Sequence, residues 1–249
     1  MDKIVDDKLK FNEEKHEYKV KGKKLTSVTT FIEKFFNEFD VEAISKKVAI
    51  KRLKEEGITK DTSGLDFKDY LDEAVKSVLA EWQESRDVGT EVHQQIEDWY
   101  NSRKEPTHIK AKMGVNWSIL SELNGYDEYP EAKIYSEELG LAGTIDLVQI
   151  DDGDQYTKPR VWIVDWKTNK KLSNNNPWQA TKGVVSHLHD CHIVKYSLQM
   201  SLYAYILERD YGMIVEGLSL VHLKEDGYKE IKCDYLKETI KNMLKVKRK

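Results

Sequence analysis

Two short stretches decide the fold: Gly143-Thr144-Ile145-Asp146-Leu147-Val148 and Val161-Trp162-Ile163-Val164-Asp165-Trp166-Lys167-Thr168. Both are apolar runs of strand length, set off by Gly140 and by Asp151-Asp152-Gly153-Asp154, and each places an acid inside the run. Residues two apart on a strand share a face, so Asp165 and Lys167 project together while Trp166 points away. A buried strand of this kind delivers a carboxylate and an ammonium to a site at its end. The other Asp-x-Lys copies, Asp6 to Lys8 and Asp66 to Lys68, lack that setting and read as solvated pairs. On neighbouring strands, Asp146 and Asp165 approach within metal-bridging reach. Two carboxylates held together without a cation repel and raise one pKa, and a hard divalent cation removes the conflict. The plainer reading of Asp146 is a polar residue on the exposed face of an antiparallel strand.

Outward from these strands the chain changes character near Tyr129. Before it, Leu9 to Phe11 and Glu17 to Val20 alternate around a turn at Lys21-Gly22-Lys23, and Ser27 stands as a helix cap before Val28. Helices are predicted over 28–37, 41–56, 70–103 with an interruption near Val88-Gly89, and 109–123. Asp61-Thr62-Ser63-Gly64 breaks the helical pattern. After Tyr129, strands are predicted at Ala132 to Glu138, Leu141 to Ile150 and Arg160 to Thr168. A polar loop to about His192, a helix from Lys195 to Arg209, strands at Val215 to Leu223 and Tyr228 to Cys233, and a terminal helix from Asp234 follow. This is an α/β chain: residues 1–249 read as one domain, with a hairpin and helical cap (1–86) on a mixed α/β core (87–249).

The flanking helices supply further polar groups one turn apart: His93 with Glu97, and Gln199 with Tyr203. The ordered set Gly89-Thr90-x-x-His93, Gly143-Thr144-Ile145-Asp146, Asp165-Trp166-Lys167-Thr168 and Gln199-Met200-Ser201-Leu202-Tyr203 resembles the RecB-type branch of the PD-(D/E)XK nuclease superfamily. His16-Glu17-Tyr18 with Leu25-Thr26-Ser27-Val28-Thr29 is similar to the opening of mitochondrial genome maintenance exonucleases and related phage exonucleases. The resemblance implies a restriction-endonuclease-like core with a mixed central sheet flanked by helices. It also implies a Mg²⁺- or Mn²⁺-dependent deoxyribonuclease acting on single-stranded DNA ends. By position, His93, Asp146, Asp165 and the Trp166 carbonyl would bind the metal, Lys167 would be the catalytic lysine, and Gln199 and Tyr203 would line the site. Some relatives carry one more acid, and Glu97, Glu131, Glu137 and Glu138 stand as equal candidates for it.

Phosphate contacts are expected from Lys170 and Lys171, from Lys51 and Arg52, and from Ser27 and Thr29. For the helix carrying Lys51 and Arg52, a solvated charged face is an equal reading. An endonuclease of the same fold and a non-catalytic nucleic-acid-binding module are the competing functions. The combination of Asp146, Asp165 and Lys167 argues against the second, since binding alone would not need it. His187-Leu188-His189-Asp190-Cys191-His192 is read as a loop beside the active site, because so compact a run rarely wraps one zinc ion. Two cysteines in 249 residues cannot hold an iron–sulfur cluster or a disulfide framework, which fits a reducing cytoplasm. No apolar run is long enough to span a membrane, and Met1-Asp2-Lys3 opens no targeting segment. With 40 basic against 44 acidic side chains, nucleic acid is not held by bulk positive charge, so its site must be local.

Overall fold

Strand β5 (Leu141–Asp151) is buried along most of its length, with Thr144, Asp146 and the terminal Asp151 only partly covered. The computed structural model describes residues 8–12, 15, 17–60, 66–123, 125–153, 157–176 and 179–247, apart from the side chain of Lys247. Met1-Asp2-Lys3, Asp6, His16 and the break at 61–64 lie outside the described residues.

Among the described residues eight strands form one mixed sheet. The strands besides β5 are β1 (Leu9–Asn12), β2 (Glu17–Val20), β3 (Lys23–Ser27), β4 (Asp127–Ser136), β6 (Arg160–Lys167), β7 (Ile214–Lys224) and β8 (Gly227–Lys232). Their order is β1-β2-β3-β5-β6-β7-β8, with β4 also paired to β5. The β3–β5 and β6–β7 pairs are parallel and the others antiparallel. The expected N-terminal hairpin is therefore part of the sheet, anchored where Leu9, Tyr18, Val20 and Leu25 cluster with Ala142.

One consequence of this pairing creates the site. Strand β4 covers one edge of β5 from residue 141 to 150, so β3 and β6 must share the other edge. Strand β3 takes Leu141 and Ala142, and β6 takes Leu147 to Asp151. Residues 143–146 have no strand partner between them. The register Val148↔Ile163 and Leu147↔Val164, carried one step further, sets Asp146 opposite Asp165. Pairing stops there: Trp166 N–H instead donates to Asp146 Oδ2 at 2.8 Å, and β6 continues on β7 as far as Lys167↔His222. The two strands fork at the two acids.

The helices are α1 (Val28–Glu33), α2 (Val41–Glu55), α3 (Phe67–Ser102), α4 (Ile109–Leu120), α5 (His192–Ile206) and α6 (Lys237–Lys247). Ser27 caps α1 as expected, its hydroxyl accepting from Thr30 N–H at 3.0 Å. The Asp40 carboxylate caps α2 in the same way, accepting from Ala43 N–H at 2.9 Å. Helix α3 runs unbroken through Val88-Gly89, where the sequence predicts an interruption. An interior glycine costs a helix only about 1 kcal/mol against alanine, less than the burial of flanking apolar residues such as Val92 and Ile96 returns. Strand β4 begins earlier than predicted and α1 ends earlier. A single π turn, Leu207–Tyr211, closes α5 before Gly212, whose φ of 74° reverses the chain.

The described chain divides into two compact units, 1–37 with 92–249 and 38–91. The larger holds the sheet and a core in which Phe31 and Ile32 of α1, Leu198 and Leu202 of α5, Val161 and Ile163 of β6, and Ile240 and Met243 of α6 meet. The smaller holds α2 and the first part of α3, joined by the Arg52–Glu81 bidentate pair (2.5 and 2.9 Å) and by Phe39 tilted on Trp82.

Candidate metal centre

The fork collects four of the expected residues, and of the four glutamates Glu131 stands among them. His93 on α3, Glu131 on β4 and Asp146 on β5 each present one ligand atom, all within 4.8 Å of one another. His93 Nδ1 lies 3.6 Å from Asp146 Oδ2. Glu131 stands across from Asp146 between the pairs Pro130↔Leu147 and Ala132↔Ile145. Its φ of 48° is left-handed, a conformation disfavoured for a glutamate and found where surrounding structure imposes it. The other candidates lie elsewhere or engage other groups. Glu137 pairs with Lys21 at 2.9 Å, Glu138 with Arg209, and Glu97 meets Gln94 on its own helix.

Asp165 is buried at the base of the fork, ion-paired through Oδ2 with Lys167 Nζ. Burial pushes the Asp165 carboxyl up; Lys167 pulls it back without cancelling the effect, and Asp146 adds to it. Burial alone would lower Lys167, but Asp165 and Asp146 outweigh it and hold the ammonium above its usual range. Glu131 is pushed up to about 8, by burial first and then by the negative charges of Asp146 and Glu97. Acids forced together at this cost, beside an imidazole, are a donor set that suits a hard divalent cation.

The site's walls come from α5. Tyr203 is buried, its hydroxyl accepting from Gln199 Nε2 at 3.2 Å, and burial raises its pKa. It lies so close over β5 that a Cβ on Gly143 would sit 2.6 Å from its Cε1, so glycine is required there by close approach. Tyr18 reaches the same region from β2, its hydroxyl 2.9 Å from Thr144 Oγ1. The sequence singles out neither Thr144 nor Tyr18 for the site, although Thr144 shares the Asp146 face by strand alternation. Trp166 points away as expected, its ring edge-on to Trp117 of α4 at 5.2 Å.

The remaining expected residues are dispersed. Lys170 and Lys171 are exposed just beyond Lys167. Lys51 and Arg52 belong to the smaller unit, Lys51 exposed and 3.8 Å from Glu55, Arg52 paired with Glu81. Ser27 is buried and its hydroxyl engages Thr29, Thr30 and the α1 backbone. In the His187–His192 loop, His189 and His192 accept hydrogen bonds from the backbone of Asn176 and Ser173.

A mixed sheet that opens between two strands gathers an imidazole, carboxylates and a lysine, a donor set that suits a divalent metal. The chain belongs to the PD-(D/E)XK nuclease superfamily, whose family model matches residues 49–245. No curated protein matches it. A solved structure described as "Crystal structure of SSO0001" is 12% identical, with a TM-score of 0.37 over 92% of this chain and 76% of that one. Among the described residues no helix is long and apolar enough to cross a membrane.

Proposed function

We propose that the chain is a DNA exonuclease of the RecB-type branch, hydrolysing phosphodiester bonds from single-stranded ends as one nuclease domain in the cytoplasm. The observation that carries the reading is the convergence of His93, Glu131 and Asp146 beside the Asp165–Lys167 pair. His93, Glu131, Asp146 and Asp165 would hold Mg²⁺ or Mn²⁺, with the Trp166 carbonyl as a further ligand. A cation so bound supplies Lewis-acid polarisation of the phosphate and a water of lowered pKa.

The chain's own residues do the rest. Lys167, held as an ammonium beside Asp165, places positive charge where negative charge builds up on the phosphate oxygens. Tyr203 and Gln199 hold the α5 wall against Gly143 and keep the strand segment before Asp146 in place. Lys170 and Lys171 contact the phosphates that follow. The acids repel DNA unless a cation is present, so binding and chemistry share one requirement.

The test incubates linear and circular single-stranded DNA with Mn²⁺. Degradation of the linear substrate alone is expected, and cutting of the circle would make the enzyme an endonuclease. Lys167→Ala should fold and bind DNA while cleavage is lost, and wild-type cleavage by that variant would sink the assignment.

A further inference from the structure

A lysine ammonium sits on a flexible four-carbon stem and must be held to act reproducibly. Lys167 Nζ is ion-paired with Asp165 Oδ2. A second contact holds the same ammonium from another side: Nζ lies 4.6 Å from the ring centroid of Tyr196, within the range over which an aromatic face attracts a cation. Tyr196 stands on α5 three residues before Gln199 and seven before Tyr203, on the same face of the helix.

The ring is itself held. The Tyr196 hydroxyl donates to Asn169 Oδ1 at 3.4 Å, and the His192 ring lies nearly parallel to it at 6.2 Å. The backbone it touches is tethered as well, since His222 Nε2 meets the Asn169 carbonyl oxygen at 2.6 Å. Lys110 Nζ donates to the Thr168 carbonyl at 3.1 Å. The two residues after Lys167 are thus fixed from β7 and α4 while the ring approaches from α5.

We propose that Tyr196 is a positioning residue for Lys167, its ring face and the Asp165 carboxylate together fixing the ammonium where a substrate phosphate meets it. The inference rests on the reading of Lys167 as the phosphate-facing cation. It concerns the ring and not the hydroxyl, which makes it separable from a packing role.

The experiment compares wild type, Tyr196→Phe, Tyr196→Leu and Lys167→Ala on labelled linear single-stranded DNA with Mn²⁺. The same proteins, labelled with ¹³C-lysine, give NMR spectra in which the Lys167 ε-methylene signal is assigned by its loss in Lys167→Ala. Tyr196→Leu should lower kcat roughly 10- to 30-fold with KM within about twofold, while Tyr196→Phe stays within about threefold of wild type. The ε-methylene signal should be displaced upfield by the ring in wild type and in Tyr196→Phe, and return in Tyr196→Leu. Wild-type kcat in Tyr196→Leu overturns the proposal, and so does an equal loss in Tyr196→Phe. Should Tyr196→Leu fail to fold, the wild-type signal decides, and an undisplaced resonance overturns the idea. An active Lys167→Ala removes the underlying reading and the proposal with it. An inactive Lys167→Ala beside an active Tyr196→Leu removes the proposal alone.

Discussion

Without metal, the crowded acids at the fork should make the protein lose stability as pH rises through neutrality, and Glu131→Gln should abolish most of that loss. The Glu131 carboxyl is held at about 8 against an ordinary 4.5, by burial and by Asp146 and Glu97. Between those values the native state keeps a proton that the unfolded chain has released, so the unfolding free energy falls as pH rises. The stabilising contribution is complete below about 4.5 and gone above about 8. At about 1.4 kcal/mol per pH unit, the loss is on the order of 3 kcal/mol by pH 7. For a chain of this size that corresponds to a melting temperature lower by roughly 6–12 °C. The assay is thermal unfolding in chelator at half-unit steps from pH 5 to 8.5, for wild type and Glu131→Gln. The curves should meet near pH 5 and diverge steadily, the variant melting higher at pH 8. Adding Mn²⁺ at about a hundred times its Kd should raise the wild type by roughly 2.7 kcal/mol and the variant by less. Parallel curves across the range, with equal responses to Mn²⁺, would refute the reasoning.

Gly143→Ala puts a Cβ 2.6 Å from Tyr203 Cε1. It should cost about 1–3 kcal/mol in urea unfolding and reduce cleavage as Tyr203 is displaced, and wild-type values for both would contradict the close approach. The double variant Lys170→Ala/Lys171→Ala should weaken DNA binding and make the salt dependence shallower by about 1.4 in log–log slope, measured by anisotropy with Ca²⁺ in place of the catalytic metal. An unchanged slope would remove both lysines from the phosphate contacts.

The acids on β5 and β6 were legible because period-two alternation inside apolar runs leaves few positions for a charge. Asp165 and Lys167 fall on one face by counting alone, and the β5–β6 register, carried one step past Leu147↔Val164, sets Asp146 opposite Asp165. Which glutamate stands with these two acids was not legible. Glu97, Glu131, Glu137 and Glu138 look alike as letters, and what separates Glu131 is a left-handed backbone and a place across from Asp146. Both depend on strand pairing that no local pattern encodes. The unbroken α3 shows the opposite error, a local penalty at Gly89 overruled by burial along the helix. Tyr196 drew no notice because a tyrosine on a buried helix ordinarily means packing, and only the position of Lys167 gives its ring a charge to face. The net charge of -4, which points to a local rather than a bulk site for nucleic acid, arises partly from the acids gathered at the fork.

The fork also bears on the order in which the protein assembles. Glu131, Asp146 and Asp165 all lie on the meander of β4, β5 and β6, whose pairings join residues close in sequence. The β3–β5 pair that closes the other side joins residues 26–27 to 141–142, and the imidazole of His93 arrives on a helix. Loop closure is cheaper for near pairings, so the carboxylates are expected to meet before the rest of the fork surrounds them, an order that pulsed hydrogen exchange during refolding would check. Their mutual repulsion is then an obstacle to refolding as well as a feature of the finished site. A cation that binds the meander, or protons at mildly acidic pH, would shorten the wait.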